Sequence, residues 1–252
     1  MAAAAGLSVD PAWPPVDWRH PALAPYREVG RRVLARVQAG VTVAEALNAE
    51  DASVHFVPQA ALPPGQAYEA FIARSGQVPT RDNLHDLFNG LVWLVQAALK
   101  RRLNALHAQA IAAQGVGARR GPLRDALTLF DENGAWLRAP AGLQAALRSR
   151  DWRALFLDHA AAWAGAELVV VGHALLEKLA TAPRKALTAH VWLDDPVEAS
   201  AADWRRKPWH PLPLAGIPGW WPAPQDAAFY ADAAVFRPPK ALRPAGAGGA
   251  GP

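Results

Sequence analysis

The chain predicts a mainly α fold (α+β): a compact helical domain with a small β-hairpin or short-strand element and an irregular Trp/Pro-rich C-terminal segment. Three observations carry this expectation. Apolar residues recur at helical spacing over 26–37, 84–98 and 99–113. Runs with a strand-like pattern are few and short, at 54–57, 127–137 and 168–171. After Trp204, Pro208, Pro211, Pro213, Pro218, Pro222 and Pro224 alternate with Trp209, Trp220 and Trp221, a composition that is too apolar for a solvated linker. The 252 residues are 52% hydrophobic and 19% charged, which suffices for a real core and argues against disorder outside the tail.

Each element follows in order. Residues 11–25, rich in Pro and Trp, read as an extended surface arm. The helix over 26–37 is ended by Gly40, and Thr42 caps a short helix to Asn48. A short strand over 54–57 precedes the breaker Pro63-Pro64-Gly65, and 68–73 reads as helical. Thr80 or Asp82 caps the next helix, which runs to about Ala98 and continues, as a second helix or a bent extension, over 99–113. Residues 115–122 form a basic, glycine-containing loop. The period then switches, and Asn133-Gly134 predicts a type I′ hairpin within 126–137. Asp151 caps a helix through Trp163. A strand over 168–171 turns at Gly172 into a helix over 173–180, and 188–192 is extended. The whole reads as a single globular domain over 1–240, with 204–240 wrapping the helices and 241–252 a disordered tail.

Composition excludes several functions. There is no cysteine, hence no disulfide, thiolate metal site or thiol nucleophile. Residues 1–10 lack the charged start and long apolar core of a signal peptide. The longest apolar uncharged run, 87–99, is too short to span a bilayer. The expectation is a soluble, cytoplasmic protein without a membrane partner. No glycine-rich phosphate loop and no G-x-S-x-G elbow occurs. The net charge is +4, yet 87–124 contains no acid and carries Lys100, Arg101, Arg102, Arg119, Arg120 and Arg124. Such a run faces either solvent or an anion. Most tryptophans lie outside it, so nucleic-acid binding is not favoured.

The densest chemistry lies in 82–93. His85 and Asn89, four apart, share a helix face, and Asp82 and Asp86 join them in a polar shelf able to hold a metal, a water or a substrate group. Asn104 and His107 repeat the theme in the next helix. His85, Asp86 and His107 offer nitrogen and oxygen donors, and a divalent metal is compatible with them; spacing alone does not identify a metal. The His85-Asp86 pair also raises the HD-type phosphohydrolases, with His55 and Asp125 or Asp131 forced into the remaining roles, but the residues around the dipeptide do not match that pattern. Asp131-Glu132 read as turn residues at a hairpin tip. Arg124 and Asp125 read as an ion pair beside the site. His173, at the entry to a helix, should stay neutral near the positive helix end, with Glu177 four residues on to orient it. His190 is a weaker candidate. Each of these residues also has an ordinary structural reading, as a cap, a turn former or a satisfied core group.

The segments 82–93 with 103–107, RDALTLFDENG over 124–134, GHALLEKL over 172–179, Ile217-Pro218-Gly219-Trp220, Phe229-Tyr230 and Val235-Phe236-Arg237-Pro238 occur in an order that resembles a proteobacterial family known only as domain of unknown function 3025. The resemblance covers roughly 18–239. It implies a bacterial single-domain protein and carries no activity or catalytic residue.

From the residues themselves, the leading expectation is an enzyme, a hydrolase of an anionic or phosphorylated small molecule. His85, Asp86, Asn89 and His173 would serve as catalytic groups or ligands. Arg124, Asp125, His107 and Asn104 would line the substrate side. The alternative is a non-catalytic interaction protein that meets an acidic partner or nucleic acid through its basic face. Oligomeric state is left open, since a tryptophan patch serves equally as core or as interface.

Overall fold

The computed structural model describes residues 13–51, 53–115 and 121–238. Its helices are α1 (Arg27–Gln38), α2 (Val43–Asn48), α3 (Tyr68–Ser75), α4 (Leu84–Val95), α5 (Ala97–Gln114), α6 (Pro122–Asn133), α7 (Ala141–Ser149), α8 (His173–Thr181), α9 (Ala201–Arg206) and α10 (Ala227–Tyr230). Two parallel strands, β1 (His55–Pro58) and β2 (Gln77–Thr80), form a small sheet. A second sheet has the order β4 (Glu167–Val170), β3 (Gly134–Arg138), β5 (Thr188–Leu193), β6 (His210–Pro213). In it β3 runs parallel to β5, and β4 and β6 are antiparallel to their neighbours. The fold is mainly α with small sheets, as the periodicity predicts.

Local chemistry explains most boundaries. Thr42 and Glu45 form a reciprocal capping box at the start of α2, the arrangement that satisfies two orphan amides at once. Asn83 caps α4 by accepting from the Asp86 amide. The cap is therefore neither Thr80 nor Asp82: Asp82 Oδ1 instead accepts from the Val43 amide at 2.7 Å and ties α2 to the start of α4. β6 carries Pro211 and Pro213 and sits at the sheet edge, where a missing N–H costs no ladder bond.

The predicted hairpin over 126–137 is replaced by α6 and β3. Leu123, Ala126, Leu127 and Phe130 are buried at spacings of three and four, which is a helical stripe. Gly134 has φ −82° and ψ 156°, so the Asn133-Gly134 pair has no left-handed turn at its glycine and serves as the junction where α6 becomes β3. Asp151 accepts from the Ala154 amide as a cap should, but the chain then widens into a π turn (Ala154–Asp158) and tightens into a 3-10 turn (Ala160–Gly165), instead of one helix to Trp163.

The arm over 11–25, expected on the surface, enters the core: Trp18 and Leu23 are buried, and Tyr26, which follows it, is buried and donates its hydroxyl to the Val170 carbonyl. In the C-terminal segment Trp204 packs on Phe130, Trp192 and Trp209, and Tyr230 stacks on Phe156 at 5.4 Å. One continuous hydrophobic cluster runs from Trp18 to Phe236. The expected tail, 241–252, and part of the basic loop, 116–120, lie outside the described residues. Among the described residues no helix is long and apolar enough to cross a membrane.

His20, His190 and His210 are half-buried, and His20 and His190 lie against Trp220 and Trp209. Burial is the chief cause that pushes all three pKa values below the ordinary 6.5. The unfolded chain therefore takes up more protons than the native one just below that value, and stability falls as pH drops through it. Thermal melting should show this between about pH 7.5 and about pH 5.5, and His190→Gln should flatten the slope. An unchanged slope in that variant would contradict the assignment.

Candidate functional site

Five helices supply most of the polar walls of one cavity of about 380 Å³. From α4 come His85, Asp86 and Asn89; from α5, Lys100, Asn104 and His107; from α6, Thr128, Asp131 and Glu132; from α8, His173; and from α3, Tyr68 and Glu69. Arg81 stands at the approach to α4, and Leu62, Ile72, Trp93 and Leu103 add apolar wall. The break at Gln96, whose φ is −116° and ψ 41°, ends α4 and turns α5 so that Lys100 Nζ reaches Asn89 Oδ1 at 2.8 Å.

At one end two imidazoles meet. His173 Nε2 lies 3.0 Å from His85 Nε2, with the rings edge to face at 69°. Glu132 Oε1 is 3.8 Å from His173 Nε2. Ligand atoms of His85, Glu132 and His173 all fall within 4.8 Å of one another. Behind the rings stand two more carboxylates. Glu177 Oε2 is 3.3 Å from His85 Nδ1, and Asp131 Oδ2 is 3.7 Å from His173 Nδ1.

This arrangement poses a proton problem. A carboxylate behind Nδ1 favours the N–H on that nitrogen and leaves a lone pair on Nε2. Both rings then point lone pairs at each other across 3.0 Å, beside a third oxygen donor. Moving the His85 proton to Nε2 relieves that contact but takes the N–H away from Glu177. A cation between the three donors relieves it without loss, because metal-bound imidazoles characteristically donate their other N–H to a carboxylate.

The electrostatics agree. His173 is 5% exposed. Burial pushes its pKa down to about 4, against the opposing pull of Asp131, so the ring is neutral at pH 7. The sequence predicts a neutral His173 from the helix end; burial is what makes it so. Burial raises the Glu132 carboxyl, with Asp131 adding to it against the opposing histidine and lysine charges. For Asp131, burial also acts upward, but Lys100, whose Nζ is 2.5 Å away, together with His173 and His107 holds it below the ordinary value. Lys100 is itself buried and lies 5.4 Å from the Trp93 ring centroid.

The structure brings His85, Asp86, Asn89, His173, Asn104 and His107 to this cavity. Asp86 is spoken for: its oxygens accept from the Arg81 amide at 2.7 Å and from the Arg81 guanidinium at 3.0 and 3.1 Å. It pins the approach to α4 and has no oxygen free for proton transfer. Asn89 orders Lys100 and Tyr68. His107 Nδ1 lies 3.7 Å from Glu69 Oε1. Arg124 and Asp125 do not line the cavity and do not pair. Arg124 is buried elsewhere, and Asp125 bonds Lys207. On a helix, consecutive side chains diverge by about 100°, so the two point apart. The basic run likewise does not present one face among the described residues, because Lys100 and Arg124 are buried and Arg102 donates to the Ala199 carbonyl. His55 is exposed and His190 lies in β5; neither lines the cavity.

Sequence reasoning misses Lys100, Tyr68, Glu69 and Arg81 as cavity groups, takes Asp131 and Glu132 for turn residues, and gives Glu177 to the wrong histidine. The signal for the acids is present: once 122–133 is read as a helix, Thr128, Asp131 and Glu132 share a face at i, i+3 and i+4.

No curated protein and no solved structure matches the chain. A family model described as "Protein of unknown function (DUF3025)" matches residues 54–207 and 192–240, spans that include every residue of the cavity, and the chain belongs to that family.

Proposed function

We propose that the protein is a metal-dependent hydrolase of a small molecule, with a divalent cation held by His85, Glu132 and His173. The observation that supports this is the meeting of two Nε2 atoms and a carboxylate oxygen within 4.8 Å on the wall of a cavity of about 380 Å³. Three protein ligands with a further position open is the usual form of a catalytic zinc site. An ion held there by His85, Glu132 and His173 would supply Lewis acidity that makes water a nucleophile at neutral pH. Glu177 orients the His85 ring, Asp131 stands 3.7 Å behind His173 Nδ1, and Lys100 holds Asp131. The expectation of an anionic substrate leaned on Arg124, which lies outside the cavity. A bacterial, cytoplasmic setting is part of the proposal; the absence of cysteine supports a reducing compartment.

The test is turnover of 4-nitrophenyl acetate and 4-nitrophenyl phosphate by protein loaded with zinc or manganese. A rate above that of buffer is expected with one of them, removed by a chelator, restored by the metal and abolished by Glu132→Gln. A rate that survives chelation, or that Glu132→Gln leaves unchanged, refutes the hydrolase reading; so does the absence of any rate. Glu177→Ala should weaken metal affinity by about 10–100-fold, because it removes the partner of His85 Nδ1 without touching the ligands. Competition with a chromophoric chelator measures this, and an unchanged affinity would mean that Glu177 does not position His85.

A further inference from the structure

We infer that the substrate of this cavity is a small uncharged carbonyl compound, an amide or ester, and not a phosphorylated molecule, because each cationic side chain on the cavity wall is already matched by a carboxylate. The inference rests on the divalent-ion site proposed above. Arg81 is held by Asp86 through two guanidinium bonds, and Lys100 by Asp131. Glu69 and Glu132 also line the wall. With a divalent ion in place, its two charges and those of Arg81 and Lys100 equal in number the four carboxylates Glu69, Asp86, Asp131 and Glu132. Glu177, just outside, adds one more negative charge.

A phosphate monoester brings nearly two negative charges at neutral pH. In a half-buried, charge-balanced cavity it gains the metal and no other free cation. Arg81 and Lys100 keep N–H groups free to donate, but their charges are already offset by Asp86 and Asp131, so a doubly charged anion beside them meets those carboxylates uncompensated, and taking Lys100 over as its counter-ion would strand the buried Asp131, a costly exchange. A carbonyl substrate asks for less. Lys100 has three N–H donors, two of which go to Asn89 and Asp131. The third is left for an oxygen that gains a single negative charge in the tetrahedral intermediate, the kind of pre-set donor that stabilises such an oxyanion. Leu62, Ile72 and Leu103 give the uncharged remainder an apolar wall.

The reaction balances with water alone. One water is consumed: its oxygen bonds the carbonyl carbon, and the proton it gives up is the one delivered to the leaving group. The C–N or C–O bond breaks, and a proton passes to the departing nitrogen or oxygen. The products are a carboxylic acid and an amine or alcohol.

The experiment uses the full chain loaded with cobalt(II), whose visible bands report the metal shell. Bands that appear in the wild type and vanish in Glu132→Gln establish the site; their absence overturns the metal site and this inference with it. Acetohydroxamic acid, a carbonyl mimic that is uncharged in solution and carries a single negative charge once it chelates, and inorganic phosphate, which carries between one and two, are then titrated separately at pH 7. The hydroxamate is expected to shift the bands at millimolar concentration and to bind about tenfold more tightly than phosphate, or better. Phosphate binding as tightly as the hydroxamate, or no response to the hydroxamate, overturns the inference. Glu69→Gln, which removes one negative charge from the wall, should raise phosphate affinity by about tenfold and that of the singly charged hydroxamate by less. No gain for phosphate in that variant shows that charge balance does not set the preference.

Discussion

Lys100→Met should cost about 3–5 kcal/mol of stability, because removing one partner of a buried ion pair strands the other. Lys100 is 5% exposed and its ammonium lies between Asp131 at 2.5 Å and Asn89 at 2.8 Å, with the Trp93 ring nearby. Methionine fills the same space, so the cost comes from charge and not from a cavity. Once the lysine is gone, Asp131 loses the largest influence that opposes its burial, and only the weaker pull of His173 and His107 remains. Asp131→Asn added to Lys100→Met should therefore recover a large part of the loss, since no charge is then left unpaired. Urea unfolding of the metal-free protein measures all three variants. A single-variant cost below about 1 kcal/mol would place the pair in the class of weak surface bridges and refute its structural role.

The second large effect is expected at Gly172. Its φ is −65°, which any residue adopts, so the need for glycine is steric. A Cβ there would lie 2.6 Å from Asn133 Cα, Asn133 N and the Glu132 carbonyl, all of them backbone atoms. No rotamer change relieves that contact, and the start of α8 must move away from the end of α6. Overpacking of this kind costs about 1–3 kcal/mol. The shift also parts His173 from Glu132, so metal affinity should fall by about 10–100-fold, as for loss of a positioning contact. Gly165→Ala is the control, since a Cβ there meets nothing within 4 Å. If Gly172→Ala melts and binds metal like the wild type, the close approach of α6 and α8 does not define the site.

Much of the scaffold is legible in the sequence where local chemistry decides it. Thr42, the breaker after β1 and the strand–turn–helix entry at Gly172 each have a local cause, and the structure has them. The hairpin error is instructive. Asn133-Gly134 carries a turn signal, but the apolar residues before it sit at helical spacing, and burial of Leu123, Leu127 and Phe130 outweighs it. That one misreading hides Asp131 and Glu132, since a turn puts them at an exposed tip while a helix end aims them at His173. Lys100 is hidden for a different reason. In a basic run a lysine reads as solvated, and only tertiary packing reveals that its charge is consumed by Asp131. Arg124 errs the opposite way, because adjacency in sequence to Asp125 suggests a pair that a helix keeps apart.

Of the polar residues singled out in the opening turns of α4, His85 becomes a proposed ligand and Asn89 orders Lys100. Asp82 and Asp86 hold backbone. A shelf that looks uniform as a string of letters thus divides into chemistry and support, and the division is set by partners far along the chain: Glu177 for His85, Asp131 for Lys100.

The most direct measurement is a zinc titration of metal-stripped protein by calorimetry, with the bound metal counted after dialysis. One ion per chain is expected for the wild type, with binding sharply weakened in His85→Ala, His173→Ala and Glu132→Gln while each variant stays folded. A folded wild type that retains no stoichiometric metal, or three variants that bind as the wild type does, would contradict the site.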